Sequence, residues 1–364
     1  MEIIDAELLP VTFRDRVSES GELVIPSHNP ANYELSPETV KALADSIPPE
    51  TMRSYRRWWE QCGEWCAQNN RDFLPMTSQT LTEWTRVLTE TPSPKTGASL
   101  SGSYIGIAIA AVRTLHTWKG HDKPDDTQAR MLLKAHKKRL SDAGRRVKKS
   151  AVVDLDGFTA MVQQCDTSTL TGLRDRLIVI WSIWAFTRRS EFAARNIPDA
   201  TVMKEGLVLY FSSSKTDQAG DGVDVKMPRR DDILDPVTAW TEYRTALAER
   251  GLTTGRILRR VDRWGNIGGD LKAESVNDII QKIAAAAGVD YDENGLKLTA
   301  HGLRASGATI ADEHGATGAY LRRQGRWSPT SNVAEGYIRH KDEWKNNAVA
   351  NVPTIPAPRT SDTA

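Results

Sequence analysis

The sequence is poor in cysteine, with only Cys62, Cys66 and Cys165 among its 364 residues. Three cysteines are too few for a disulfide framework, and their spacing matches no zinc motif. Cys62 and Cys66 lie four apart in a Trp-rich helical stretch, which favours buried packing over half a metal site. The histidines are scattered and no carboxylates cluster at metal spacing. We therefore expect no metal and no cofactor.

Long apolar runs are also missing. None approaches the roughly 20 residues that a membrane-spanning helix needs. Residues 1–10 carry Glu2, Asp5 and Glu7 and have no long apolar core, which argues against a signal peptide. The chain is 39% hydrophobic, enough for two ordinary domains. We expect a soluble, cytoplasmic protein in a reducing compartment.

No charge of one sign dominates, because the formal net charge is +1. The distribution of charge says more than the total. Residues 130–149 contain many Lys and Arg residues and Asp142 as the single acidic residue. Such a block is often a solvated face or a flexible arm. It is also what contact with nucleic-acid phosphates requires.

Turn residues and hydrophobic periodicity divide the chain into five parts. Residues 1–33 are irregular and predict a flexible arm without an assigned function. Residues 34–140 predict a helical domain, with Pro124 opening its fifth helix. A basic linker over residues 141–150 precedes a domain of helices and short strands over residues 151–352. A polar, Pro-containing tail over residues 353–364 is predicted to be disordered.

One stretch concentrates side chains that suit phosphate chemistry. His301 and Arg304, three apart, share a helical face and could clamp a phosphate. Trp327 offers a lone indole donor. Tyr337 offers a phenol that becomes a nucleophile only if its anion is stabilised or its proton removed. The pattern His-x-x-Arg is common, however, and by itself this stretch favours ordinary core packing.

A second stretch changes the balance. Arg188 follows the apolar run 177–186, and Lys215 follows the strand-like run 207–211. The complete set resembles the catalytic residues of the tyrosine site-specific recombinases, in the family's order and local context. In this sequence the set is Arg188, Lys215, His301, Arg304, Trp327 and Tyr337. The resemblance covers roughly residues 35–350, and the Trp where most members have His makes the Cre-like branch the nearest match.

The resemblance implies a mainly α protein built as a two-domain, C-shaped clamp. An N-terminal helical bundle would bind DNA, and a C-terminal α+β domain with a small antiparallel sheet would catalyse. Tyr337 would attack a DNA phosphodiester, giving a 3′-phosphotyrosine and a free 5′-hydroxyl. Exchange of strands would pass through a Holliday junction, without ATP or metal, because each ester replaces another ester.

The remaining roles are also implied by the resemblance. Arg188 and Arg304 would neutralise the phosphate oxygens. Lys215 would be the acid for the leaving 5′-oxygen, and His301 either a base towards Tyr337 or a phosphate donor. Trp327 would donate to the phosphate or pack against the tyrosine. Glu191, three residues after Arg188, would hold active-site groups in place through hydrogen bonds.

Several alternatives remain open. Arg189 competes with Arg188, although Arg-x-x-Glu fits the family better when it begins at Arg188. Lys215 could be an ordinary exposed hairpin lysine. The interval from Trp327 to Tyr337 is ten residues, where the family usually has nine. Tyr320, the other nearby tyrosine, precedes the tryptophan and so breaks the order.

The expected partner is double-stranded DNA with inverted repeats around a short spacer. A dimer would occupy one site and a homotetramer two, with a C-terminal helix near residues 341–352 docking in a neighbouring subunit. The alternatives are an accessory-dependent integrase, a DNA-binding relative without catalysis, or an unrelated helical protein. A phage or plasmid origin is expected. Candidate DNA contacts are Arg53, Arg56, Arg57, Arg145, Arg146, Lys148, Arg259, Arg260, Arg263, Asn277 and Lys282.

Overall fold

A computed structural model describes residues 36–145, 149–212 and 222–328, together with 16–17, 23–24, 334, 336–338, 349 and 352. The chain forms two compact units, Met1–Val147 and Lys148–Ala364. Most of the predicted arm and all of the predicted tail lie outside the described residues. The two units are called the N-terminal unit and the C-terminal unit below.

The N-terminal unit is a helical bundle preceded by a short antiparallel strand pair. Its elements are β1 (Arg16–Val17), β2 (Leu23–Val24), α1 (Pro37–Asp45), α2 (Pro49–Gln68), α3 (Ser78–Glu90), α4 (Gly102–Trp118) and α5 (Thr127–Asp142). Hydroxyl side chains start two of the helices. Thr77 accepts the backbone N–H of Thr80 at 3.2 Å, and Ser101 that of Tyr104 at 3.2 Å, so each satisfies a donor the helix leaves open.

Aromatic side chains fill the core of the N-terminal unit. Trp58, Trp59 and Trp84 are almost fully buried. The indole N–H of Trp59 donates to the carbonyl oxygen of Ala111 at 2.7 Å, which ties α2 to α4. Cys62 and Cys66, which the sequence pattern places in the core, are free and buried there. This packing explains the helical spacing of the stripe along α2.

The start of α5 differs from the prediction. We expected the helix to begin at Pro124, but it begins at Thr127. Arg113 holds the preceding residues in a non-helical path, because its guanidinium donates to the Pro124 carbonyl oxygen at 3.2 Å and to the Asp126 carboxylate at 2.7 Å. Arg130 donates to the same carboxylate at 2.7 Å. The buried Asp126 therefore fixes the entry into the helix.

The C-terminal unit is mainly helical with short antiparallel strands, as the resemblance implies. Its helices are α6 (Leu155–Gln163), α7 (Leu170–Trp184), α8 (Arg189–Ala193), α9 (Pro236–Ala248), α10 (Ala273–Ala286), α11 (Ala300–Glu313) and α12 (Gly318–Gly325). Its strands are β3 (Ala200–Val202), β4 (Gly206–Phe211), β5 (Val223–Pro228), β6 (Arg259–Val261) and β7 (Ile267–Asp270). Strands β3, β4 and β5 form one antiparallel sheet in that order, and β6 pairs with β7.

Helix α7 forms the centre of this unit, and α11 packs closely against its C-terminal end. The close approach depends on Gly307. A Cβ atom there would lie 2.1 Å from the carbonyl oxygen of Ile183. Gly302 makes a similar approach, since a Cβ would lie 2.3 Å from the carbonyl oxygen of Ala151. Two glycines thus allow α11 to sit directly on its neighbours.

The N-terminus of α11 is held by three side chains. Thr299 caps the helix by accepting the backbone N–H of Gly302 at 3.2 Å, and its hydroxyl bonds that of Ser150 at 2.8 Å. Asn277, on α10, accepts the backbone N–H of Ala300 at 3.1 Å. These bonds fix the turn of helix that carries His301. Among the described residues, no helix is long and apolar enough to cross a membrane.

Candidate active site

Arg188 lies where the chain leaves α7 and enters α8. Phe186 has a left-handed backbone, with φ of 46°, which turns the chain sharply after the buried helix. Arg188 then occupies the N-cap of α8. Its backbone N–H donates to a Glu191 carboxylate oxygen at 3.1 Å, and its guanidinium donates to the other oxygen. Glu191 therefore orients both the backbone and the side chain of Arg188.

Arg304 is the most enclosed charge of the site, with 0% of the residue exposed. Helix α11 presents it to the loop after α7 and to the end of α12. Its guanidinium donates to the carbonyl oxygen of Phe186 and, at 2.6 Å, to that of Gly325. His301, one turn earlier on the same helix, is exposed at the surface. The two side chains share a helical face as predicted, but at different depths.

Tyr337 packs among three of the predicted site residues. Its ring centroid lies 4.8 Å from that of Trp327 and 5.2 Å from that of His301. The Arg304 guanidinium carbon is 5.4 Å from the Tyr337 ring and 4.8 Å from the Trp327 ring. Residues far apart in sequence, including a tyrosine beyond the last described helix, therefore meet at one place.

Glu191 connects the arginines of the site. Its carboxylate pairs with Arg188, with Arg326 at 2.8 Å and with Arg304 at 3.8 Å. Three guanidinium charges and one carboxylate leave two positive charges in excess (3 − 1 = 2). Burial alone would raise the pKa of Glu191, but Arg326 and Arg188 lower it overall, so the carboxylate stays ionised.

The surroundings of Arg304 make its charged form less favourable. Burial, followed by the positive charges of Arg188 and Arg326, lowers the pKa of Arg304. Its Nε atom is buried and has no hydrogen-bond partner within the described parts of the chain. The same holds for the indole nitrogen of Trp327, whose residue is 6% exposed. A bound anion beside this cluster would balance its excess positive charge.

Arg326 is a member of this cluster that the sequence did not single out. It follows α12 directly, with φ of 54° and ψ of 44°, and it is 5% exposed. Arg326 stands directly before Trp327 in the sequence, and of the two only Trp327 was predicted as a site residue. The usable signal was an arginine at the end of a helix, where glycine or asparagine is usual. That signal is visible only once the end of the helix is known.

Some predicted residues lie outside the described part of the chain. Lys215 falls in the connection between β4 and β5, which the structure does not describe. Arg146 and Lys148 in the linker are likewise outside the described residues, as is nearly all of the segment 341–352. Their roles stay predictions. Within the described residues, no three His, Cys, Asp or Glu side chains form a group that could hold a metal ion.

The candidate DNA contacts of the N-terminal unit differ in their surroundings. Arg53 and Arg56 are exposed on α2, and Arg53 pairs with Glu50 at 2.9 Å with both side chains mostly solvated. Arg57 instead stacks on the ring of Tyr104, 5.2 Å from its centroid. Arg145, beyond α5, donates to the Ser99 carbonyl oxygen. All four arginines are exposed, and they differ in the groups that they contact.

The candidate DNA contacts of the C-terminal unit cluster on the β6–β7 hairpin. Arg260 is exposed, and Arg263 lies 4.0 Å above the ring of Trp264, which is 71% exposed. Arg259 pairs with Asp270 at 2.7 Å across the hairpin. The two other candidates lie on α10, where Lys282 is exposed and Asn277 holds the start of α11.

Comparisons with known proteins agree on one class. No family model matches the chain. The "Integrase/recombinase xerD homolog" of Selenomonas ruminantium is 22% identical over 347 residues, which cover 94% of this chain and 96% of the relative. XerH site-specific recombinase bound to a palindromic difH substrate, a post-cleavage complex, is similar in fold with a TM-score of 0.53 and 14% identity. That likeness covers 86% of this chain and 83% of XerH.

A second XerH complex, the pre-cleavage complex with difH, matches with a TM-score of 0.50 and 15% identity over 88% of this chain and 86% of XerH. The full-length relative and the shared fold indicate a tyrosine recombinase. They confirm the predicted fold class, mainly helical with a small antiparallel sheet. The Cre-like branch and the clamp arrangement stay predictions.

Proposed function

We propose that this chain is a site-specific DNA recombinase that cleaves and rejoins DNA through a covalent bond between Tyr337 and the 3′-phosphate. The observation that carries the proposal is the packing of the Tyr337 ring against His301 and Trp327, directly over the buried guanidinium of Arg304. A phenol beside an excess of positive charge suits attack on an anionic phosphodiester.

The proposed cleavage step exchanges one phosphoester for another. The Tyr337 oxygen bonds to phosphorus while the bond from phosphorus to the 5′-oxygen breaks, leaving a 3′-phosphotyrosine and a 5′-hydroxyl. The phosphorane carries more negative charge than the diester. The positive charges of Arg188 and Arg304 would stabilise this additional negative charge. Glu191 and backbone carbonyl oxygens hold both guanidinium groups in place before DNA binds.

Proton transfer falls to two further residues. His301 is exposed beside the Tyr337 ring, where it is suited to take the phenol proton or to donate to the phosphate. Lys215 is the proposed acid that protonates the leaving 5′-oxygen. Trp327 can only donate, so its role is a hydrogen bond to a phosphate oxygen. The 5′-hydroxyl of another strand then reverses the step, which needs no ATP.

The proposed substrate is a duplex with inverted repeats around a short spacer. A dimer would bind one site and a homotetramer would join two through a Holliday junction, with residues 341–352 docking in a neighbouring subunit. The similarity in fold to XerH, which is bound to a palindromic substrate, supports inverted repeats in the proposed substrate. A cytoplasmic location on bacterial DNA follows from the proposed activity.

A DNA-binding protein without catalysis is the second candidate. It would retain the fold and the exposed arginines on α2. The buried Arg304 and the cluster around Glu191 argue against it, because buried charges without a ligand are costly and groove binding does not require them. An accessory-dependent integrase would share the chemistry and differ only in its partners.

A suicide-substrate experiment tests the proposal. Target duplexes are enriched from a random-sequence pool by gel shift with the full-length protein. The enriched duplexes are then rebuilt with a nick near the presumed cleavage position, so that the cleaved fragment diffuses away. Wild type, Tyr337→Phe and Tyr320→Phe are incubated with the nicked duplexes in EDTA and run on a denaturing gel. Tyr320 is 68% exposed on α12 and is the matched control.

We expect a covalent protein–DNA band for wild type and Tyr320→Phe, and none for Tyr337→Phe. A band that persists in Tyr337→Phe would place the nucleophile elsewhere. Duplex enrichment without any covalent band in wild type would favour a binding protein without catalysis. Failure to enrich any duplex at low salt would contradict the proposed function altogether.

A further inference from the structure

Arg326 has a backbone that arginine seldom adopts. It lies immediately after α12 with φ of 54°, in the left-handed region that favours glycine at helix ends. The residue is nevertheless 5% exposed, so its long cationic side chain is almost entirely buried. Such a conformation persists only where the surroundings stabilise it, and such sites cluster around functional groups.

The side chain of Arg326 bridges three parts of the site. Its Nη1 atom donates to the carbonyl oxygens of Ala185 at 3.0 Å and Gln324 at 3.2 Å. Its Nη2 atom donates to the carbonyl oxygen of Phe186 at 3.0 Å and to a Glu191 carboxylate oxygen at 2.8 Å. The guanidinium carbon also lies 4.0 Å from the ring of Phe211, at the end of β4.

The bond to Glu191 bears directly on the proposed catalytic arginines. The oxygen that Arg326 binds also accepts the backbone N–H of Arg188 and lies 3.8 Å from Arg304. A carboxylate paired with Arg188 alone would compete with a phosphate for that guanidinium. Arg326 supplies a second, buried cation to the same carboxylate, which leaves more of the charge of Arg188 for the substrate.

We propose that Arg326 is a positioning residue that acts through Glu191 to set Arg188 and Arg304 for the scissile phosphate. The inference rests on the proposed recombinase function and adds a residue to it. Arg326 contacts the carbonyl of Phe186 that Arg304 also contacts, so one guanidinium fixes both the loop before Arg188 and the partner of Arg304. It holds these groups without touching the reacting atoms.

Four variants test this role in the full-length protein. Arg326→Gly suits the positive φ and removes the guanidinium, and Arg326→Lys keeps one positive charge without the planar fork. Glu191→Gln removes the acceptor charge, and the double variant combines Arg326→Gly with Glu191→Gln. Arg323→Ala is the control, because Arg323 is exposed on α12, which Arg326 follows. The readouts are the single-turnover cleavage rate of the nicked duplex and the Kd for the intact duplex.

We expect Arg326→Gly to cleave about 100-fold more slowly, because small displacements of catalytic groups have effects of that size. The duplex Kd should change by no more than about threefold, since the residue is buried away from solvent, and the result is a loss in rate rather than in binding. The double variant should be no slower than the slower single variant, as expected for residues that act along one path. Arg326→Lys should recover part of the rate, and Arg323→Ala should match wild type.

If the rate loss of the double variant equalled the product of the rate losses of Arg326→Gly and Glu191→Gln, Arg326 would not act through Glu191. Cleavage by Arg326→Gly at the wild-type rate would overturn the inference while leaving the proposed function intact. If Arg326→Gly and Arg326→Lys both lost duplex binding together with cleavage, the role would be structural and the inference wrong. Absence of cleavage by wild type would contradict the proposed function itself, so the two failures are distinguishable.

Discussion

The Nη2 atom of Arg326 donates to the carbonyl oxygen of Phe186 at 3.0 Å. Both residues have a left-handed backbone, and in the described parts of the C-terminal unit they are the non-glycine residues with positive φ. Two strained positions, far apart in sequence, are thus joined by a buried hydrogen bond at the candidate active site. Arg304 donates to the same oxygen, which places the strain directly beside the proposed phosphate site.

Arg188 should be required for cleavage, and its neighbour Arg189 should not. Arg188→Ala removes a guanidinium that pairs with Glu191. The Arg188 side chain is 22% exposed, which makes it the most accessible of the three arginines that pair with this carboxylate. Loss of one such group is expected to slow cleavage of the nicked duplex by about 10²- to 10³-fold. Arg189→Ala, which alters an exposed side chain, serves as the matched control. Equal losses in both variants would contradict the assignment.

Trp327→Phe should slow cleavage strongly and lower the melting temperature only modestly. The indole N–H of Trp327 is buried without an acceptor among the described residues, so phenylalanine removes a donor that none of those residues uses. A lost hydrogen bond to a charged phosphate predicts a cleavage rate lower by about 10- to 100-fold. Trp240→Phe is the control, since its indole N–H is also buried without a partner in the described structure but lies outside the site.

The two Trp variants are compared by thermal melting and single-turnover cleavage. Both lose the same ring volume, so both should show a similar modest drop in melting temperature. Only Trp327→Phe should lose cleavage. A wild-type cleavage rate for Trp327→Phe would show that Trp327 packs against Tyr337 without donating to the phosphate.

Two Gly→Ala substitutions should change stability in opposite directions. At Gly307 the new methyl group would meet the Ile183 carbonyl oxygen at 2.1 Å and the Phe186 ring at 2.7 Å. Overpacking of this kind costs about 1–3 kcal/mol. At Gly106, also inside a helix, the nearest atom is a Leu133 methyl at 3.8 Å, an ordinary contact. There alanine should stabilise the helix by about 0.5–1 kcal/mol.

Urea denaturation of wild type and the two Gly→Ala variants measures these effects. Gly307→Ala should unfold at lower urea and should also slow cleavage, because α11 carries His301 and Arg304. Gly106→Ala should unfold at higher urea with cleavage unchanged. Stabilisation by Gly307→Ala would contradict the close contact between α11 and α7.

Acid should destabilise the N-terminal unit through His116. Its Nε2 atom accepts the backbone N–H of Met76 at 2.8 Å, and its Nδ1 atom lies 2.8 Å from the Val112 carbonyl oxygen, an arrangement that needs a neutral ring. Burial, followed by the charge of His121, lowers the pKa of His116 in the folded protein. The stability contributed by the neutral ring is therefore present above the unfolded pKa of about 6.5 and is lost as the pH falls below it.

Melting curves of wild type and His116→Gln between pH 8 and pH 5 check this expectation. Glutamine retains an acceptor for the Met76 amide and does not titrate, so the variant should lose less stability than wild type on acidification. Above pH 7 the two curves should run parallel. An equal fall in stability below pH 6.5 in both proteins would contradict the role of His116.

The sequence predicted a helical N-terminal domain, a C-terminal domain of helices and short strands, and the strand-like run that forms β4, because each leaves a local pattern. The close meeting of Arg188, Arg304 and Tyr337 follows from the order of those residues in the family that the chain resembles. The role of Asn277 could not be predicted in this way. Its side chain accepts the Ala300 amide, a bond that depends on how α10 packs on α11, and its predicted contact with DNA stays a prediction.

Arg326 shows why other features of the site could not be predicted from the sequence. Its position at the end of α12 depends on where the helix stops, and its partners are carbonyl oxygens of Ala185 and Phe186 that no sequence pattern marks. The start of α5 was wrong for a related reason. Asp126 bonds Arg113 and Arg130, and such tertiary contacts override the helix signal of Pro124.

The most direct test of the proposed function identifies the amino acid that is linked to DNA. The covalent complex from the nicked duplex is digested with nuclease and trypsin, and the nucleotide-bearing peptide is sequenced by mass spectrometry. Trypsin releases Tyr337 in a peptide over residues 327–339 and Tyr320 in one over residues 305–322. We predict that a nucleotide is linked through its 3′-phosphate to Tyr337 and to no other residue. A nucleotide on the peptide of Tyr320, or on any other residue, would contradict the central claim.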